Sequence, residues 1–106
     1  MSKKRGYQVL VSNRARDMLF KHAQFLAQVS VEAGEKLFDQ FEEKVAALEE
    51  MPERIRLMDS EPERSKGLRP LIVDNYTVFF VVKAEAVYIV RVLYSASDIG
   101  KRLFEE

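Results

Sequence analysis

The stretch that most constrains the fold is LRPLIVDNYTVFFVVKAEAVYIVRVLY, which runs from Leu68 to Tyr94. It is dense in β-branched and aromatic residues, and turn chemistry cuts it twice, at Asp74-Asn75 and at Lys83-Ala84-Glu85-Ala86. That pattern predicts three successive strands, Leu68 to Val73, Tyr76 to Lys83 and Val87 to Tyr94, joined by tight turns. Pro70 has no N–H to give a ladder, so it belongs on an edge strand or near a strand end. The last strand is interrupted by Arg91 and runs out into Tyr94, Ser95, Ser97 and Asp98 before a short amphipathic tail. Strand ends followed by polar residues are where small folds often keep their binding groups.

The first half of the chain supplies the cover for such a sheet. YQVLVS alternates, with Tyr7, Val9 and Val11 on one face, and reads as a first strand. Asn13 is placed to cap a helix whose apolar positions Met18, Leu19, Phe25, Leu26 and Val29 recur at three- and four-residue spacing. Ser30 caps a second helix with Leu37, Phe38, Phe41, Val45 and Leu48 as its stripe, and Pro52 bounds it. The segment MPERIRLMDSEPERSKG, with two prolines and a glycine, connects the two halves. Ser97 or Asp98 caps a last turn or two through Gly100 to Phe104, with Ile99, Leu103 and Phe104 as its apolar positions. The expected order is β-α-α-β-β-β with a short C-terminal helix. This is an α+β fold with two antiparallel helices on an antiparallel sheet, forming one domain over residues 1–106.

Composition narrows the function classes. Cysteine is absent, so disulfides and thiolate metal sites are out, and a reducing cytoplasm fits. No apolar run approaches a membrane span, and the start MSKKRG leads into an alternating segment rather than a signal peptide, so a soluble, unprocessed chain is expected. Net charge is zero but uneven: residues 1–16 hold five bases and no acid, while residues 31–63 hold eleven acids against four bases. A basic pole keeps nucleic-acid contact open, but a neutral chain lacks the field for strong non-specific affinity.

Few groups offer chemistry. The single histidine, His22, sits on the packed side of the first helix and reads as a satisfied, half-buried residue. One histidine without cysteine makes a transition-metal site improbable. The four glycines are scattered at positions 6, 34, 67 and 100, so no phosphate-binding loop exists and no cofactor is implied. Glu35, Asp39, Glu42, Glu43, Glu49 and Glu50 lie opposite the core stripe, where exposed carboxylates make poor general acids at neutral pH. What remains is a set of bases and aromatics on the last three strands and the loop before them: Arg64, Lys66, Arg69, Tyr76, Arg91 and Tyr94. Cations beside stacking rings suit RNA recognition, phosphodiester chemistry or an acidic protein partner. Equally, Arg91 can snorkel from a sheet face while Tyr94 closes the core.

The strand-helix-helix order, the "L..MP" ending of the second helix, KGLRPLIVDNYTVFFVV and VYIVRVLYSASDI together resemble the RelE/ParE superfamily of bacterial type II toxins, the plasmid stabilisation system proteins. The resemblance runs from Tyr7 to Leu103. It is sharpest at Leu68-Arg69, Tyr76, Phe80 and Val82, then Ile89, Arg91-Val92-Leu93, Tyr94 and Asp98. It implies a toxin neutralised by a cognate antitoxin, acting on DNA gyrase or cleaving messenger RNA on the ribosome, as a homodimer or a toxin–antitoxin hetero-oligomer. On the ribonuclease branch Arg69, Lys66 and Tyr94 would be catalytic. Arg64, Tyr76, Arg91, Asp98, Leu103 and Phe104 would face a partner or target. The sequence departs from the RNA-cleaving pattern at three places: Thr77 stands where an arginine often follows the tyrosine, Tyr94 where many members carry histidine, and Ser97 where the "RD" arginine falls. Metal-free RNA cleavage needs a base, an acid and cations for the phosphorane, and no obvious base remains. The ParE-like branch is therefore favoured, with an inactive antitoxin-binding module as a further alternative.

Overall fold

A computed structural model describes residues 6–97 and 99–103. In chain order it has β1 (Gln8–Val11), α1 (Asn13–Ala27), α2 (Val31–Ala46), two short 3-10 turns (Ala47–Glu49 and Pro52–Arg54), β2 (Arg69–Val73), β3 (Tyr76–Lys83), β4 (Ala86–Tyr94) and α3 (Ile99–Arg102). No helix among the described residues is long and apolar enough to cross a membrane.

The helix starts follow from two serines. The Ser12 side chain accepts from the Ala15 amide at 3.0 Å, and Ser30 does the same for Ala33 at 3.2 Å. Ser12 displaces Asn13 as the first cap because its own amide donates to the Ile89 carbonyl at 3.0 Å. That bond holds Ser12 extended at the end of β1, so the helix begins directly after it. Asn13 lies inside the first turn and accepts from Arg16 instead. At the far end, Met51 adopts φ 51° and Pro52 opens the second 3-10 turn, so the helical run stops where the proline required.

The sheet order is β1-β4-β3-β2. β2, β3 and β4 form the expected antiparallel meander with Asp74 and Ala84 at positive φ in its turns, and Pro70 lies on the β2 edge. β1 departs from the all-antiparallel expectation: it pairs parallel to β4, Gln8 opposite Ala86 through Val11 opposite Ile89. A strand separated from the meander by a helical hairpin can reach the free β4 edge in this direction, which a short turn could not do.

The helical hairpin covers one sheet face, burying Ala15, Leu19, Ala23, Leu37, Phe41, Val45 and Leu48 against Val73, Val78, Phe80, Val87, Ile89 and Val92. Phe25 and Val29 were expected in this layer but are 67% and 89% exposed. Phe25 is six residues beyond buried Leu19, about 120° round the helix, so the stripe that meets the sheet runs through Ala15, Leu19 and Ala23 instead. On the opposite sheet face Leu68, Phe79, Leu93 and Leu103 form a second, smaller cluster, with Ile99 of α3 packed on it.

Candidate functional site

Tyr76 begins β3 and Tyr94 ends β4, and the antiparallel register sets them opposite each other. Their rings meet edge-to-face with centroids 5.6 Å apart, and His22 from α1 lies 4.7 Å from Tyr76 on its other side. The three rings form a row at one end of the sheet, from buried Tyr76 out to Tyr94, which is 47% exposed. His22 Nε2 is 2.9 Å from the Val92 carbonyl; a carbonyl only accepts, so this nitrogen carries a proton and donates it. The satisfied-histidine reading of the sequence agrees with this geometry. Burial, and then the charges of Tyr94 and Asp74, push the Tyr76 phenol above its ordinary range, so it stays protonated at neutral pH.

The corner beyond Tyr94 is tied down locally. Thr77 and Ser95 share a 2.7 Å hydroxyl hydrogen bond on the sheet face opposite the rings, and the Ser95 amide donates to Asn75 at 2.9 Å. Both the amide and the hydroxyl of Ser97 donate to the Tyr94 carbonyl, at 3.0 and 2.6 Å. Asp98 and Phe104, two of the expected partner-facing residues, lie outside the described residues.

Arg91 owes its place to a β-bulge. Phe79 pairs with Arg91 and Phe80 with Ile89, so Val90 is an extra residue on β4. The shift sets Arg91 on the face away from the helices, opposite Phe79, where its Nη1 donates to the Val90 carbonyl at 2.8 Å. Without the bulge a charge at this point of the alternation would face the helix layer.

The residues expected to act together on RNA are not brought together. Arg69 sits opposite Phe80, while Tyr94 sits opposite Tyr76, four residues further along β3. That is about 13 Å along the strand, with two strand spacings, or about 10 Å, across the sheet. The Arg69 guanidinium turns to the connection and donates from Nη1 to the Ile55 carbonyl at 2.5 Å and to the Glu53 carbonyl at 3.4 Å. Lys66 is exposed in that connection, and Arg64 reaches the Met58 carbonyl at 3.4 Å. Leu103 is only 2% exposed and packs in the second core cluster, so α3 docks on the protein's own sheet. The ring row can therefore stack and donate hydrogen bonds, but the nearest expected cations serve other parts of the fold.

One surface escaped sequence reasoning. Phe20, Ala23, Gln24, Ala27, Val31 and Phe38 line an open, mostly apolar groove of about 280 Å³ along the helical hairpin. Phe20 and Phe38 meet edge-to-face at 5.3 Å, and Phe25, Val29 and Val31 are exposed around the hairpin. The signal was present in the small residues Ala23, Ala27 and Gly34, which let the two helices approach and leave the large side chains outside.

A family profile for the ParE toxin of the type II toxin–antitoxin system, parDE, matches residues 9–99. Among solved structures, a chain of the chromosomal ParDE TA system from P. aeruginosa superposes with a TM-score of 0.67 at 20% identity, covering 83% of this chain and 95% of that one. That likeness shows a shared fold. No curated protein matches the chain at a significant level.

Proposed function

Since the chain belongs to the ParE toxin family of type II toxin–antitoxin systems, we propose that it acts by binding an essential cytoplasmic target, DNA gyrase, and that a cognate antitoxin neutralises it. The observation that carries the reading is the separation of Arg69 from Tyr94, four residues along β3 and two strands across the sheet. Phosphodiester cleavage needs a base, an acid and cations converged on one phosphate, and these groups do not converge. Recognition needs no such convergence. Exposed Tyr94 backed by Tyr76 suits a protein contact, and the hairpin groove offers a partner's apolar side chains a place to bury.

Induced expression followed by pulse labelling tests this reading. DNA synthesis should fail first, with induction of the damage response, while co-expression of the neighbouring antitoxin gene restores growth. Early collapse of protein synthesis with messages cut at codon boundaries would overturn it in favour of a ribosome-dependent mRNA interferase. If neither process responds, the chain is an inactive antitoxin-binding module.

A further inference from the structure

β1 pairs with β4 only as far as Ile89, so the last residues of β4 have a strand on one side alone. A strand end with so little support is expected to fray. Here side chains supply the missing restraint. His22 donates from Nε2 to the Val92 carbonyl at 2.9 Å, and the Tyr94 carbonyl accepts both the amide and the hydroxyl of Ser97, at 3.0 and 2.6 Å. The Ser95 amide donates to the Asn75 carbonyl at 2.9 Å, while the Ser95 hydroxyl shares its 2.7 Å bond with Thr77. The corner is gripped from both faces of the sheet, by rings on one and hydroxyls on the other.

What this grip holds in place is an exposed ring. Tyr94 is 47% exposed and belongs to neither core cluster, and its ring meets buried Tyr76 edge-to-face. Holding it still therefore adds little to burial. An exposed aromatic side chain whose backbone is already ordered loses little entropy when a partner covers it, which is the property of an interface anchor. Its shape selects the kind of partner. A ring standing out from the end of a sheet needs a cavity on the other side; a folded protein has one, whereas a segment that folds on binding brings its own side chains to grooves.

We propose that Tyr94 is the anchor by which the protein engages a folded target, its ring seated in a pocket of that target. Thr77, Ser95 and Ser97 are positioning residues that fix its backbone, and His22 is a fourth, acting through Val92 and Tyr76. The inference rests on the reading of the chain as a toxin that binds DNA gyrase, and it names the contact. Ring burial supplies most of that contact, and the phenol adds a hydrogen bond at the pocket wall.

Two readouts test it, inhibition of supercoiling by purified gyrase and growth arrest on induction, with binding of the co-expressed antitoxin and thermal melting measured alongside. Tyr94→Ala should need at least about tenfold more protein for the same inhibition and should relieve the arrest, and Tyr94→Phe, which keeps the ring, should lose clearly less. Tyr88→Ala removes an exposed tyrosine from the same strand and should act like the parent protein. Ser97→Ala should weaken inhibition about threefold in the parent and have no further effect on Tyr94→Ala, because its role runs through that residue. Antitoxin binding and melting should not follow this order. The proposal is overturned if Tyr94→Ala inhibits like the parent, if Ser97→Ala costs as much without Tyr94 as with it, or if antitoxin binding falls in step with inhibition. If the parent arrests growth without inhibiting gyrase, the gyrase reading fails, while relief of the arrest in Tyr94→Ala still supports the anchor and persistence of the arrest overturns it. A parent that does neither overturns both.

Discussion

Replacing Gly34 by alanine sets a local rule against a tertiary one. Helix propensity alone predicts a gain of about 1 kcal/mol, because alanine orders its backbone at lower entropic cost than glycine. The structure predicts the opposite sign. A Cβ built on Gly34 would lie 2.8 Å from the Ala23 carbonyl oxygen and 3.3 Å from the Ala27 Cβ. The first neighbour is backbone and cannot swing aside, so the two helices must part by roughly 0.7 Å to restore ordinary contact distances of about 3.5 Å. Overpacking of this kind typically costs 1–3 kcal/mol, and here it also loosens the side chains of both helices against the sheet. Set against the propensity gain of about 1 kcal/mol, the net loss should be up to about 2 kcal/mol, or a fall in Tm of up to roughly 10 °C for a domain of this size. Thermal and urea unfolding of Gly34→Ala measure it. Glu42→Gly against Glu42→Ala, at an exposed position of the same helix, calibrates the propensity term. A higher Tm for Gly34→Ala would refute the close approach of α1 and α2 inferred here.

Three further outcomes are expected. Ser12→Ala should cost about 1 kcal/mol in urea unfolding through loss of the bond to the Ala15 amide, whereas Asn13→Ala should cost clearly less. Leu103→Ala should lower stability by about 2–3 kcal/mol, because the side chain packs between Leu68, Phe79 and Leu93; an unchanged melting curve would mean that α3 is not docked. Because burial raises the folded-state pKa of Tyr76 above 10.0, folding retains its proton more strongly than the unfolded chain does. Its contribution is therefore complete below pH 10.0 and lost as pH rises through the folded value. Unfolding titrations at alkaline pH should show this loss in the parent protein and a smaller one in Tyr76→Phe.

Much of the fold was legible along the chain because it is encoded locally. Two turn signals bracketing β-branched runs specify a meander, and Pro70 confines its place to an edge strand or near a strand end, both of which hold in β2. Spacing of Leu37, Phe41, Val45 and Leu48 sets the buried stripe of the second helix and Ser30 begins it, whereas the first helix is capped by Ser12 rather than the expected Asn13 because pairing to β4 holds Ser12 extended. The exposed carboxylates of α2 and the satisfied His22 follow from the same periodicity.

What only the tertiary structure decided concerns partners distant in sequence. Nothing in YQVLVS specifies that β1 joins β4 in parallel; the free edge and the length of the helical crossover decide that. Phe25 satisfies a helical period yet faces solvent, because the rotation of α1 is set by the small residues that meet α2 and the sheet, and Val29 lies past the end of α1 at Ala27, in the turn. Arg91 is a contradiction in a strand pattern until the bulge at Val90 turns it to the other face. Arg69 and Tyr94 group together by residue type, but register sets them four residues apart along β3 and two strands apart across the sheet, with Arg69 committed to the backbone of the connection. Residue type and spacing specify which elements form, whereas sheet order and register determine which side chains converge, since those depend on edges and contacts between segments far apart in the chain.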